Sequence, residues 1–205
     1  EAPSHFFAEL KEGLRFVWNQ RLLRALVLTV LVTNLLDAPL PVVMVVFAEA
    51  EYGSAADLGL MYGVFGGAAL AGSLAFSSIG HRLPRRRTFV SCFAMLPIMY
   101  LTMATLPSLA VALVALAVVG LAAGPLNPLI FTVTAEIVPT QLRGRVFGAV
   151  RAGAWASIPL GILLGGLLVE TVGVAATFLA IGVCYAAVVG YGFVNPAFRE
   201  LDHRS

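Results

Sequence analysis

The feature that most constrains the fold is a stretch from residue 88 to residue 135 that contains no charged side chain. At about 1.5 Å of rise per residue, one helix of this length would be more than twice as long as the apolar core of a bilayer, about 30 Å, requires. The stretch must therefore fold back once, and we predict the turn at Pro107 and Ser108. So long a stretch without a charged side chain is not expected in a water-soluble domain.

The rest of the sequence divides at its charges in the same way. Residues 58–80 and 171–198 contain no charge, residues 25–48 contain only Asp37, and residues 146–169 contain only Arg151. Overall 60% of the residues are apolar and 12% charged, against about 25% charged in soluble domains. We predict an all-α membrane protein with six transmembrane helices, near residues 24–47, 57–80, 88–106, 109–135, 146–169 and 174–194.

The basic residues indicate the orientation. Twelve of the 13 lysines and arginines fall on one side of this segmentation, and Arg151 is the exception. Because cytoplasmic loops retain Lys and Arg, we expect that side, with both termini, to face the cytoplasm. The twelve are Lys11, Arg15, Arg21, Arg24, Arg82, Arg85, Arg86, Arg87, Arg143, Arg145, Arg199 and Arg204.

Three regions are predicted from these patterns. Residues 1–21 form a cytoplasmic linker, residues 22–195 the six-span transmembrane domain, and residues 196–205 a cytoplasmic tail. In the linker, Phe7, Leu10, Leu14 and Val17 recur at helical spacing among charged residues, which indicates an amphipathic helix on the membrane surface. The alternative is a linker without regular structure.

Small residues mark two of the predicted spans as tightly packed. Glycines replace bulky side chains where helix backbones approach closely in a membrane. The second and fifth spans thus hold equivalent places in two groups of three, the pattern of a 3+3 inverted repeat. The residues that we assign to this packing are Gly63, Gly67, Gly153, Ser157, Gly161 and Gly165.

Asp37 is the first candidate for function. It lies 13 residues past Arg24, about 20 Å along a helix, and Pro39 and Pro41 follow it. Acids inside membranes normally face a bundle interior or an aqueous cavity, where they take up a proton or pair with a cation. Two interpretations stay open: a site on the proton or substrate path, or an acid at a helix break that bonds locally or lies near the outer interface.

Further polar residues occupy comparable depths. Asn34 lies one turn before Asp37, Asn127 lies between two prolines and nine residues before Glu136, and Trp155 lies one turn past Arg151. Asn127 can contact Arg151 in a central cavity. Asn34 can serve packing, the Arg151 side chain can reach back to the headgroups, and Trp155 can belong to the core. Two cytoplasmic connections carry charges that can close an inward gate or merely set topology; these are Arg85, Arg86, Glu136, Arg143 and Arg145.

Four segments resemble the major facilitator superfamily, specifically the C-terminal six-helix half of an enterobactin-exporter-like drug or siderophore exporter. They are ELKEGLRFV at residues 9–17, GSLAFSSIGHRLPRRR at 72–87, GPLNPL at 124–129 and VPTQLRGRVFG at 138–148. In this family the first, second, fourth and fifth helices of each half line the transport path. The resemblance therefore implies that the path is lined by residues including Asn34, Asp37, Asn127, Arg151 and Trp155. It also implies that the chain crosses the inner membrane of a bacterium several times.

The resulting hypothesis is half of a secondary transporter that exports a small amphipathic molecule in exchange for protons by alternating access. Its expected partners are the lipid bilayer, a small-molecule substrate and an N-terminal six-helix half, in the same longer chain or an associated subunit. The alternatives are the membrane domain of an ATP-driven transporter and a scaffold or fragment that transports nothing.

Enzymatic chemistry is not expected. The sequence has no HExxH, no Gly-x-Ser-x-Gly and no phosphate-binding glycine-rich loop with lysine, and its three histidines, His5, His81 and His203, lie outside the predicted spans. We accordingly predict no cofactor, no metal site and no nucleic-acid partner.

Overall fold

A computed structural model describes residues 3–204, with the side chains of residues 3–10, 154 and 202–204 outside the description. All regular elements of this described part are helical. Eight α-helices occur in residues 3–204: α1 (Pro3–Asn19), α2 (Arg21–Asp37), α3 (Leu40–Tyr52), α4 (Ala55–Ile79), α5 (Arg85–Met103), α6 (Leu109–Ala123), α7 (Leu126–Ile137) and α8 (Thr140–Val194). Short 3₁₀ segments cover Gly80–Arg82 and Pro196–Arg204.

Within residues 3–204, four segments are long and apolar enough to cross a membrane. They are Arg21–Tyr52, Ala55–Arg82, Leu109–Ile137 and Thr140–Val194. The helix α5, in the place of the third predicted span, is not among them; it begins with three arginines at residues 85–87. The all-helical class and the long apolar helices agree with the sequence prediction.

Prolines interrupt two of these segments. The chain passes from α2 to α3 through Ala38 and Pro39, and from α6 to α7 through Gly124 and Pro125. Proline has no backbone N–H, so each interruption removes one bond of the helical ladder. The first break follows directly after Asp37, so this carboxylate belongs to the last residue of a helix.

The long helix α8 consists of two arms, residues 140–172 and residues 174–194, which meet at Gly173. This glycine has φ 82° and ψ 169°, a conformation outside any helix. Gly165, in the first arm, lies beside Pro39, and Tyr185, in the second, bonds Asp37. A straight helix would place residues 165 and 185 about 30 Å apart, so the chain reverses direction at Gly173.

The closest approach of α4 is to α6. A Cβ atom added to Gly72, Gly120 or Gly124 would collide with backbone atoms of the facing helix, so only glycine fits at these positions. Gly63 and Gly67, to which the sequence analysis assigned packing in this helix, face open space within the described chain.

The helix α1 docks on the start of α8. A Cβ on Gly13 would meet the backbone of Arg145, and Glu12 forms an ion pair with the Arg145 guanidinium at 2.6 Å. Val17 is buried, whereas Leu14 is exposed. The side chains of Phe7 and Leu10, which the predicted apolar stripe includes, lie outside the described residues.

Candidate functional site

The side chain of Asp37 lies between two tyrosines whose helices are far from it in the sequence. The hydroxyl of Tyr100 in α5 donates to Oδ1 at 2.6 Å, and that of Tyr185 in the second arm of α8 donates to Oδ2 at 2.6 Å. The two rings stack with centroids 5.2 Å apart, and both are fully buried. The Tyr185 hydroxyl also lies 3.4 Å from the carbonyl oxygen of Thr33. We call Asp37, Tyr100 and Tyr185 the carboxylate cluster.

These bonds bear on the two interpretations of Asp37. Its partners stand 63 and 148 residues away in the sequence, so the carboxylate bonds across three helices rather than locally. Sequence reasoning missed both tyrosines. The available signal was weak: each places a polar hydroxyl within an uncharged stretch, where a buried Tyr O–H needs a partner.

Small residues of α8 hold the helix break beside this cluster. A Cβ on Gly161 would overlap Ala38, and one on Gly165 would overlap Pro39. Gly153 lies against Leu31, about two turns before Gly161. Ser157 shares their spacing and is engaged in an interaction of its own. The first arm of α8 therefore packs along α2 up to the break.

A cavity of about 740 Å³ lies between four of the helical segments. Its wall is mostly apolar, with stacked rings of Phe131 and Phe147 whose centroids are 4.9 Å apart. Asn127, Ser73 and Thr134 contribute the polar side chains. The lining residues are Leu26, Val27, Val30, Phe65, Ala69, Ser73, Ala123, Gly124, Asn127, Pro128, Ile130, Phe131, Thr134, Phe147 and Val150.

Two of the predicted path residues lie just beyond this cavity. Val30 is in its wall, and Asp37 lies seven residues further along α2, about 10 Å deeper. Asn34 lies between them and donates from Nδ2 to the Val30 carbonyl at 2.7 Å, so its amide is bonded to its own helix. Of the five residues predicted to line the path, Asn127 is in the cavity wall.

Arg151 and Trp155 form a pair beside the cavity. The guanidinium of Arg151 lies 5.2 Å from the centroid of the Trp155 ring, a cation–π distance. Both residues are exposed, and Arg151 follows Val150 of the cavity wall directly. The structure thus brings these two predicted residues together, but it does not join Arg151 to Asn127.

The arginine-bearing end is the end of the helices at which Arg85, Arg86, Arg143 and Arg145 lie. Its acid, Glu136, pairs with an arginine from the other of the two charged connections. Glu136, at the end of α7, accepts two hydrogen bonds from Arg85 of α5, at 2.6 and 3.0 Å. Arg86 donates to the Phe193 carbonyl at 3.2 Å. Arg143 donates to carbonyl oxygens of the α7 terminus. Arg145 binds Glu12 of α1, so these side chains tie α1, α5, α7 and both arms of α8 together.

The amino-acid sequence of the chain matches a family of known proteins. Residues 23–203 match the profile of the family described as Major Facilitator Superfamily. The chain is 36% identical over 200 residues, 98% of its length, to the multidrug efflux pump Tap of Mycobacterium tuberculosis and to that of Mycobacterium bovis. It is 33% identical over 195 residues to the multidrug efflux pump Tap of Mycolicibacterium fortuitum. The chain spans about half, 48%, of the length of these relatives.

Proposed function

Since the chain belongs to the Major Facilitator Superfamily, a family of multi-pass membrane transporters, we propose that it forms half of a proton-coupled exporter of small amphipathic molecules. A second six-helix half, in the same longer chain or in an associated subunit, supplies the surface against which this half moves. The proposal is supported most directly by the cavity of about 740 Å³ bounded by four helical segments.

We propose six membrane crossings arranged as two inverted groups of three. The reversal at Gly173 supports this count, because it divides α8 into two arms of membrane-spanning length. Arg85, Arg86 and Arg87 support a start of α5 at a membrane surface, and the apolar remainder of α5 is the proposed third crossing. In this arrangement the arginine-bearing ends, the linker of residues 1–21 and the tail of residues 196–205 face the cytoplasm.

The cavity wall suits a substrate that is mostly apolar with few polar groups. Its volume falls within the range of about 300 to 1,000 Å³ typical of small-molecule sites. Asn127 offers an amide that donates and accepts hydrogen bonds, and Phe131 and Phe147 offer flat faces. Three relatives carry the name multidrug efflux pump, which agrees with a wall that selects by shape and polarity.

The carboxylate cluster is the proposed proton site. When Asp37 is ionised, each oxygen accepts one tyrosine hydroxyl. When Asp37 takes up a proton at Oδ2, its new O–H donates to the Tyr185 oxygen, and the Tyr185 hydroxyl turns to the Thr33 carbonyl, 3.4 Å away. The proton thus changes the contacts of α8 with α2.

The first arm of α8 can carry this change to the substrate. The same arm presents Gly161 and Gly165 to the break after Asp37 and presents Phe147 and Val150 to the cavity. At the arginine-bearing end, Arg85 and Glu136 form the proposed inward gate, together with Arg86, Arg143 and Arg145. Arg151 and Trp155 remain on the proposed path beside the cavity.

Everted membrane vesicles test the proposal. The chain is expressed together with its second half, and ethidium uptake is followed after an imposed proton gradient without ATP. We expect uptake that collapses with a protonophore and is lost in Asp37→Asn, while Asn34→Ala keeps most of it. Uptake that requires ATP hydrolysis, or that persists at full rate in Asp37→Asn, would contradict proton-coupled transport through this site.

A further inference from the structure

A polar pocket of about 300 Å³ opens at the arginine-bearing end, between the start of α2 and the end of α8. Among the described residues, two arginines, Arg21 and Arg24, and one acid, Glu200, are in its wall, so the charges of these side chains sum to +1. Asn195 and Tyr191 add neutral polar groups. The pocket is distinct from the proposed transport cavity, with which it shares none of its lining residues.

An apolar groove of about 390 Å³ continues from this pocket along the outer surface of the helices. Both are lined by Leu28 and Tyr191, so the polar pocket and the groove are contiguous. The groove extends along α2 to Val32 and along the second arm of α8 to Ala187. Thr29 in its wall has a buried hydroxyl that bonds to no other described residue.

The arginines of the pocket are available to an anion. Arg24 donates from one nitrogen to the Trp18 carbonyl at 2.9 Å and stacks on the Trp18 ring, which occupies one of the five N–H groups of its guanidinium. Arg21 is exposed and forms no ion pair with the described residues. Trp18 is itself 60% exposed, as is common for tryptophan at a membrane interface.

From this arrangement we propose that the pocket and groove together bind one anionic phospholipid. The phosphodiester lies on Arg21 and Arg24, and one acyl chain follows the groove past Leu28 to Ala187. The pocket charge of +1 complements the single negative charge of phosphatidylglycerol, whose glycerol hydroxyls can donate to the Glu200 carboxylate. This inference rests on the membrane placement of the proposed function but not on transport.

Native mass spectrometry of the detergent-solubilised chain tests the proposal. The chain is titrated with dioleoyl phosphatidylglycerol and, separately, with dioleoyl phosphatidylcholine. We expect retention of one phosphatidylglycerol and weaker retention of phosphatidylcholine. In the double variant Arg21→Gln, Arg24→Gln, phosphatidylglycerol should bind roughly 25-fold more weakly, about fivefold for each arginine lost.

Two further variants make the result specific. The matched control Arg82→Gln, Arg87→Gln removes the same charge outside the pocket and should leave binding unchanged. Ala187→Trp, at an exposed position of the groove wall, should weaken binding without loss of charge. This variant keeps the test valid if the arginine variant fails to fold.

Three results would overturn the proposal. They are equal retention of the two lipids, equal loss in the control and pocket variants, and competition by glycerol 1-phosphate at the lipid concentration, which would indicate a phosphate site alone. Efflux is measured separately, so that a failure of lipid binding is distinguished from a failure of the transport hypothesis.

Discussion

At the scale of single residues, the proposed proton site is a carboxylate that cannot keep all its hydrogen bonds in both protonation states. An ionised Asp37 only accepts hydrogen bonds, and the two tyrosine hydroxyls satisfy one oxygen each. A protonated Asp37 must donate one hydrogen bond, so the tyrosine hydroxyl that accepts this bond has to turn its own hydrogen to another acceptor. Tyr185 has a second acceptor within reach in Thr33, so the cluster is asymmetric.

Conservative substitution of the two tyrosines tests this asymmetry. Tyr100→Phe and Tyr185→Phe each leave one carboxylate oxygen without a donor, so both should destabilise the protein by about 1 to 3 kcal/mol in detergent melts. Only Tyr185→Phe also removes the alternative bond to Thr33. We therefore expect a larger shift in the pH profile of efflux for Tyr185→Phe than for Tyr100→Phe. Identical profiles would argue against the proposed turn of the Tyr185 hydroxyl to Thr33.

Sequence analysis could identify Asp37 but not its partners. A lone acid in an otherwise uncharged run stands out because of what it costs in lipid. Tyr100 and Tyr185 are bound to it only through tertiary packing of α2, α5 and α8, and no spacing in the sequence links them. Asn127 could be placed at cavity depth from its distance to Glu136, but its position in the wall required the fold.

At the scale of the elements, close contacts between helices replace the hydrophobic effect as the source of association in lipid. The first arm of α8 meets the α2 break through Gly161 and Gly165, and α4 meets α6 through Gly72, Gly120 and Gly124. Glycine spacing alone could not distinguish these glycines from Gly63 and Gly67, since a helix presents small residues equally to a neighbour and to open space.

A pair of alanine substitutions in α8 distinguishes a glycine at a close helix contact from a glycine that faces open space. Gly161→Ala places a methyl group on Ala38, whereas the Cβ of Gly166→Ala meets nothing within 4 Å. We expect Gly161→Ala to lower the free energy of unfolding by about 1 to 3 kcal/mol, and Gly166→Ala to leave it unchanged or slightly raised. Thermal unfolding in detergent measures both, and equal effects would contradict the close contact.

The pair of Arg85 and Glu136 links α5 to α7, and a double-mutant cycle measures that link. The side chains are 22% and 38% exposed, so we expect a coupling of only about 0.5 to 1 kcal/mol between Arg85→Gln and Glu136→Gln. Arg82→Gln with Glu136→Gln is the control and should be additive. A coupling of zero for the first pair would remove it from the proposed gate.

At the scale of the whole molecule, charge and hydropathy determine much of the architecture, and helix interruptions determine the rest. The long apolar helices follow from the uncharged runs. The breaks at Pro39 and Pro125 follow from proline chemistry. The reversal at Gly173 falls between the predicted fifth and sixth spans, which end at residue 169 and begin at residue 174; the positive φ of Gly173 identifies the residue at which the chain turns.

The proposed arrangement of six crossings has the arginine-bearing ends in the cytoplasm and the reversal at Gly173 outside the cell. It is tested by cysteine accessibility in intact cells, with the chain expressed beside its second half and Cys92 and Cys184 replaced by alanine. We predict that Glu51→Cys and Glu170→Cys react with a membrane-impermeant maleimide, and that Arg87→Cys reacts only after permeabilisation. Labelling of Arg87→Cys in intact cells would contradict the proposed arrangement. A Glu170→Cys variant that, like Arg87→Cys, reacts only after permeabilisation would also contradict it.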